Sequence, residues 1–112
     1  MVTPESFAQL ALSFPETESA PHFDRTAFKV VKKRIFATLH EKHLSANLVL
    51  SLEEQAAFCE FDSTSIYAVP NKWGEKGWTT FELQKVSKEV IFEALNSAYL
   101  DVIKKNRKSH VL

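Results

Sequence analysis

Glycine and cysteine are both scarce in this chain of 112 residues. Two glycines argue against a glycine-rich phosphate loop and against an all-β fold built on many tight turns. A single cysteine, Cys59, excludes an internal disulfide and a multi-cysteine metal site. Because Cys59 falls on the apolar side of a predicted helix and has no basic neighbour, we expect it in the core rather than in a reactive site.

Long apolar runs and an excess of either charge are also missing. No run approaches the roughly 20 residues that span a bilayer, and the N-terminal residues lack the basic and apolar parts of a signal peptide. Lys plus Arg and Asp plus Glu each total 14, so the formal net charge is zero. Dedicated nucleic-acid binders usually carry excess positive charge, because neutralised phosphates supply much of their affinity. We therefore expect a cytoplasmic monomer without a membrane anchor, in which any nucleic-acid contact needs a local cluster of cations.

The composition is that of one ordinary globular domain. Hydrophobic residues make up 45% of the chain and charged residues 25%, and nine phenylalanines supply bulky side chains for a core. The length suits one domain and is too short for two independent cores. We therefore expect a single domain over residues 1–112.

Local signals predict helices at both ends of the chain, with strands and one more helix between them. Thr3 followed by Pro4 is typical of a helix start, and Ser51, three residues before Glu54, has the spacing of a capping box. Ser87 is a candidate cap for the last helix. Helices are predicted over about 3–13, 51–60 and 88–104, and strands over about 17–22, 26–31, 34–40, 46–50, 66–69 and 78–83. The order αββββα(β)βα predicts an α+β fold in which helices cover one face of an antiparallel sheet.

Two β-rich runs separated by Lys32 and Lys33 predict a hairpin. A two-residue loop sets Lys29 opposite Phe36 on a mixed face and pairs apolar residues with one another on the core face. A longer loop stays open as an alternative, because tight hairpins prefer Asn-Gly or Gly. In the two-residue register, Phe36 would lie on the face that the helices leave uncovered.

Several short motifs resemble the MmcQ/YjbR-like family over nearly the whole chain and in that family's order. They are Phe14-Pro15-Glu16, Pro21-His22-Phe23, Arg25, Ala27-Phe28-Lys29-Val30, Phe36-Ala37-Thr38-Leu39, Val69-Pro70, Lys72-Trp73-Gly74, Gly77-Trp78 and Ala98-Tyr99. The resemblance implies an α+β fold of the double-wing type, related in shape to frataxin-like proteins. It also implies DNA binding, which is the family's usual predicted label. One departure is the first hairpin turn, where family members usually place glycine and this chain has Lys32-Lys33-Arg34.

The hairpin tip Lys32-Lys33-Arg34 places three positive charges side by side. Phosphates attract Lys and Arg whatever the base sequence, so the tip is a candidate nucleic-acid contact. The alternative is a solvated turn that discourages edge aggregation. The cations within 104–108 are a further candidate contact, and positive charge there also suits the helix dipole.

The segment from Lys72 to Trp78 contains both tryptophans and both glycines of the chain. Trp73 is a candidate for stacking on a base while Lys72 and Lys76 hold phosphate. In the structural alternative, Trp78 begins a strand and packs in the core, and Trp73 is a partial lid. The glycines allow positive φ and so a loop shape that other residues resist.

His22 and Arg25 flank a predicted turn that also contains Asp24. They are candidates for an anion-binding or acid–base cluster. In the structural alternative, Asp24 caps backbone N–H groups and Arg25 forms a salt bridge. His40 and His43 are three residues apart between predicted strands, whereas a metalloprotease motif needs two histidines four apart on a helix. No metal site is therefore predicted.

No Ser/His/Asp order, P-loop or dinucleotide fingerprint is found, and no catalytic residue or cofactor is predicted. The leading hypothesis is a non-enzymatic module that binds nucleic acid, DNA by the family label, through phosphate neutralisation and one stacked aromatic ring. The alternative is a protein-interaction or small-ligand domain that uses the mixed sheet face around an exposed Phe36. An enzyme would require His22 and Arg25 to converge in a concave pocket.

Overall fold

The structure, a computed structural model, describes residues 2–111 of the chain and the side chains of residues 2–104. Within that part the chain forms six strands and four helices. The strands are β1 (Thr17–His22), β2 (Arg25–Val30), β3 (Ile35–His40), β4 (Ser45–Val49), β5 (Ile66–Ala68) and β6 (Trp78–Glu82). The helices are α1 (Pro4–Ala11), α2 (Leu52–Phe61), α3 (Lys72–Glu75) and α4 (Lys88–Val111).

The strands form one antiparallel sheet in the order β1-β2-β3-β4-β6-β5. Helices α1 and α4 pack on one face of it. The ring of Phe7 in α1 lies edge-on to Phe28, with centroids 5.7 Å apart, and Tyr99 in α4 meets Phe36 in the same way at 6.0 Å. The predicted α+β fold is confirmed, with the short helix α3 as an element that the sequence analysis did not predict.

The three predicted helix starts are present with their capping hydrogen bonds. The Thr3 hydroxyl accepts from the Ser6 backbone N–H and Pro4 occupies the first turn of α1, which satisfies a donor that the helix itself cannot pair. Ser51 and Ser87 cap α2 and α4 in the same way. Helix α2 is less buried than the other two, since Leu52 is 59% exposed and no residue of α2 is fully buried.

A β-bulge turns Phe36 into the core. Lys29 pairs with Ile35 rather than with Phe36, so β3 carries one extra residue beside the register shift that follows Phe28. Phe36 has no exposed surface and contacts Tyr99 on the helix side. The prediction that Phe36 lies on the uncovered face is therefore wrong, since a slip of one residue moves a side chain to the other face.

The loop between β2 and β3 has four residues, 31–34, rather than the two of the tight hairpin. Lys32 adopts a φ of 65°, in the left-handed region that favours glycine, and the Lys33 N–H donates to the Val30 carbonyl at 2.8 Å. The longer alternative is the one that the chain adopts.

Cys59 is half-buried and packs against the core from α2. Burial raises the pKa of its thiol, which lowers the fraction of reactive thiolate at neutral pH. Within the described residues, none of the helices combines the length and apolarity that crossing a membrane requires.

Candidate binding groove on the outer face

The sheet face opposite α1 and α4, here called the outer face, borders a cavity of about 950 Å³ that Asp101 of α4 also lines. This cavity, the outer groove, is bordered by β1 and the β2–β3 loop on one side and by α3 on the other. The residues singled out in the sequence that line it are His22, Arg25, Arg34, Trp73, Lys76 and Trp78. Residues far apart in the chain therefore converge on one surface.

Three cationic side chains border the outer groove at different points. Arg25 lies across the floor, where its Nη1 donates to Thr38 Oγ1 at 3.5 Å. Arg34 enters from the β2–β3 loop, and Lys76 stands over the Trp73 ring with its ammonium nitrogen 5.4 Å from the ring centroid. The salt bridge expected for Arg25 is not found among the described residues, so its guanidinium keeps donors available to a ligand.

The floor of the outer groove between these cations is largely apolar. Ile35, Val49, Leu52 and Trp78 line it, which accounts for the exposed position of Leu52 on α2. Trp78 begins β6 as predicted and is half-buried. Trp73, by contrast, is 58% exposed, so one face of an indole is available for stacking beside a cation.

Local geometry holds α3 and Trp73 in place. The Asn71 side chain accepts from the Trp73 N–H at 2.9 Å, and Gln55 Nε2 donates to the Gly74 carbonyl at 3.0 Å. Gly77 has a φ of 103°, as predicted, whereas Gly74 does not have a positive φ. A Cβ on Gly74 would lie 1.9 Å from the Val69 carbonyl oxygen, so that position needs glycine for space rather than for conformation.

Other predicted cations lie outside the outer groove. Lys32 and Lys72 are exposed and Lys33 is half-buried, and none of the three lines the cavity. Lys104 is exposed, and the side chains of residues 105–108 lie outside the described ones. The roles predicted for these lysines stay predictions.

Carboxylates balance part of this positive charge. Glu75 and Asp101 also line the outer groove, and Lys29 on β2 is paired with Glu18 at 3.7 Å. The cations left to a ligand are therefore few and local, in keeping with a net charge of zero.

A second, smaller cavity of about 380 Å³, here called the polar cavity, opens at one end of the same face. Asp24 Oδ2 and His40 Nε2 are 2.9 Å apart there, and His40 Nδ1 accepts from the His43 N–H at 3.2 Å. Since Nδ1 is an acceptor, Nε2 carries the proton that is donated to Asp24. This hydrogen bond holds the pKa of the Asp24 carboxyl below its ordinary value. Asp24 therefore bonds to a histidine side chain, and its carboxylate also accepts from its own backbone N–H.

The opposite wall of the polar cavity is a hydrogen-bonded pair, Tyr67 and Glu82. The carboxylate of Glu82 accepts from the phenol, which raises the pKa of Tyr67 to about 12. Arg25 lines both cavities, so they meet at its side chain. No group of three or more His, Cys, Asp or Glu among residues 2–104 is arranged to hold a metal ion.

Known proteins share this architecture. The family model described as YjbR matches residues 12–100. The chain belongs to the YjbR family. The crystal structure of Deinococcus radiodurans protein DR2400, with a DUF419 domain, matches this YjbR protein with a TM-score of 0.81 at 26% sequence identity, over 95% of this chain and 82% of that one. No curated protein matches the chain.

Sequence reasoning missed the polar cavity of this YjbR protein, although the strand patterns contained a signal for it. His40 pairs with Ser45, and Ser45 pairs with Glu82 on the next strand. Paired residues share a sheet face, so a row of polar residues across three strands marks a polar site. The order of the strands, which places β6 beside β4, is what brings Glu82 into that row.

Proposed function

We propose that this YjbR protein is a non-enzymatic module that binds a nucleic-acid strand in the outer groove. DNA is the nucleic acid that the family label suggests. The observation that carries the proposal is that Arg34 of the β2–β3 loop borders the same cavity as Trp73 and Lys76 of the α3 segment. A chain with no net charge can hold phosphates only where its cations gather, and this is where three of them do.

The outer groove suits the two chemical parts of a nucleotide. Arg25 and Arg34 offer planar guanidinium groups that bond phosphate oxygens in pairs. Trp73 offers an exposed ring for a base, and stacking on an aromatic side chain contributes about 1–3 kcal/mol per base. The apolar floor has few groups that read base edges, so we expect affinity with little sequence preference.

A single strand fits this surface better than a duplex. Stacking on Trp73 needs a base whose face is free, and the bases of a duplex are already stacked on their neighbours. The cavity is also a local concavity of about 950 Å³ rather than an extended basic surface. Two or three phosphates are the most that its cations can neutralise.

The state of His22 favours binding over acid–base chemistry by that residue. His22 and Arg25 do line one concave cavity, which is the condition set for an enzyme. The His22 ring, however, lies edge-on to Phe23 with centroids 5.0 Å apart and has no hydrogen bond to the described residues. A general acid or base is normally held by a partner that orients it.

Fluorescence anisotropy with a labelled single-stranded oligonucleotide of mixed sequence at low salt tests the proposal. We expect saturable binding by the full chain, with weaker binding of the matching duplex. Trp73→Ala should weaken binding by about 1–3 kcal/mol, or about 5- to 150-fold. Phe61→Ala is the matched control, because Phe61 is 70% exposed and lies outside the groove. Absence of binding, or equal losses in the two variants, would contradict the proposal.

A small flat anion is a second candidate ligand for the same groove. The volume of about 950 Å³ is typical of small-ligand sites, and a mononucleotide carries both a ring and phosphates. Titration with a mononucleotide followed by tryptophan fluorescence separates the two candidates, since Trp73 and Trp78 both line the groove. The protein-interaction alternative loses its main support, because Phe36 is buried.

A further inference from the structure

The polar cavity offers a hydrogen-bonding environment that the phosphates and bases of the proposed ligand do not use. Its volume of about 380 Å³ is far larger than the roughly 30 Å³ that a water molecule fills in the liquid. Asp24 and Glu82 line it together with the rings of His40 and His43. Two carboxylates would repel a phosphate, but they accept hydrogen bonds from hydroxyl groups.

Both ring nitrogens of His40 are used internally, but other groups of the cavity keep capacity for a ligand. An ionised carboxylate has about four lone-pair sites, and the bonds to Asp24 and Glu82 described above occupy one oxygen of each. The His43 ring is exposed and lies roughly perpendicular to the His40 ring, with centroids 4.3 Å apart. The Ser45 hydroxyl, in a residue only 9% exposed, also lines the cavity.

The polar cavity and the outer groove form one continuous surface. Arg25 lines both, and the register of the strands places them at opposite ends of the outer face. Ser45 pairs with Glu82 at the polar end, whereas Val49 pairs with Trp78 at the groove end. A strand that stacks on the groove and contacts Arg25 with a phosphate would therefore bring a neighbouring sugar to the polar cavity.

An exposed aromatic ring lies beside the polar cavity, as the exposed ring of Trp73 lies at the groove end of the outer face. Phe23 is 95% exposed in the turn between β1 and β2, next to Asp24. Its φ of 59° is a conformation that bulky residues adopt at a cost of about 1–3 kcal/mol. The two-residue turn between the paired residues His22 and Arg25 requires positive φ at its first central residue, and this turn presents the exposed ring beside Asp24, where it is available to stack on a second base.

We infer that the polar cavity is a subsite for ribose hydroxyls, and that the strand bound best by the outer face is single-stranded RNA. Carboxylates recognise ribose hydroxyls in dinucleotide sites, and the 2′-hydroxyl is the group by which proteins distinguish RNA from DNA. The inference rests on the proposed function and adds to it the recognition of the ligand's sugar.

The test compares three oligonucleotides of one sequence, as RNA, DNA and 2′-O-methyl RNA, by fluorescence anisotropy with the full chain. RNA should bind at least about tenfold more tightly than DNA, the effect of one hydrogen bond to a charged group. The 2′-O-methyl strand should lose this advantage, because its ribose oxygen no longer donates.

Two variants locate the source of the preference. Glu82→Gln keeps the size of the side chain, and His43→Ala changes an exposed one, so thermal melts should show that both remain folded. Each should reduce the preference for RNA several-fold and leave DNA affinity almost unchanged. Lys42→Ala is the matched control, since Lys42 is the exposed neighbour of His43 and lies outside the cavity.

The outcomes separate this inference from the proposed function. Equal affinity for RNA and DNA, with both weakened by Trp73→Ala, overturns the ribose subsite and leaves the groove as a binding site. A preference for RNA that survives both variants, or that 2′-O-methylation does not reduce, also overturns the subsite. Failure of all three strands to bind overturns both proposals.

Discussion

The salt dependence of binding is the sharpest quantitative consequence of the groove geometry. Three cations border it, namely Arg25, Arg34 and Lys76. A single strand releases about 0.7 counterions per phosphate neutralised. If each cation neutralises one phosphate, the slope of log affinity against log salt is about −2.1, and a fourfold rise in salt weakens binding about 20-fold. A long basic surface would give a much steeper slope.

Removing one of these charges should change the slope by a fixed amount. We expect Arg34→Gln to reduce it to about −1.4, so that the same rise in salt costs about sevenfold in affinity. The assay is the anisotropy titration repeated at four or more salt concentrations. Arg34 is exposed at the end of a loop, so its replacement should leave folding unchanged.

Lys32→Gln is the control that decides between the groove and the hairpin tip. Lys32 is exposed in the same loop as Arg34 but does not line the groove. A groove contact predicts an unchanged slope for Lys32→Gln, whereas a contact made by the whole tip predicts equal reductions in the two variants. Equal reductions, or a wild-type slope near zero, would refute the reasoning from the groove.

Three further predictions concern the fold and the polar cavity. Phe36→Ala should destabilise the protein by about 3–5 kcal/mol, because the ring is fully buried, whereas Phe61→Ala should change the free energy of unfolding by less than about 0.5 kcal/mol in a urea titration. Gly77→Ala should lower the melting temperature measurably, since its φ of 103° and a contact of 1.9 Å from the new Cβ to a backbone oxygen leave no relaxed arrangement. Glu82→Gln should lower the pKa of Tyr67 from about 12 toward its ordinary value of 10 in a phenolate absorbance titration. Because the pKa of Tyr67 is raised in the folded state, its hydrogen bond to Glu82 stabilises the fold below pH 10, and this stabilisation is lost as the pH rises through 12. A Tyr67 titration that is unchanged in Glu82→Gln would contradict this hydrogen bond as the cause of the raised pKa.

Local signals in the sequence determined the positions of most elements. Thr3, Ser51 and Ser87 mark helix starts because each caps a backbone N–H with its own hydroxyl, and that bond involves only neighbouring residues. Period-two patterns likewise identified the strands, since alternate residues of a strand face opposite sides. The short helix α3 was missed because only four residues form it, at a place where Pro, Asn and Gly predict a loop.

Only the tertiary structure decided which residues meet on the outer face. A bulge between Phe28 and Lys29 placed Phe36 in the core and Ile35 on the groove floor, and such a shift depends on how two strands pair rather than on either strand alone. Arg34 and Trp73 converge because β6 lies between β4 and β5, which the order of elements along the chain does not specify. The sequence alone thus determined the elements, through interactions between near neighbours. The binding surface depends on strand order and register, which are set by long-range packing.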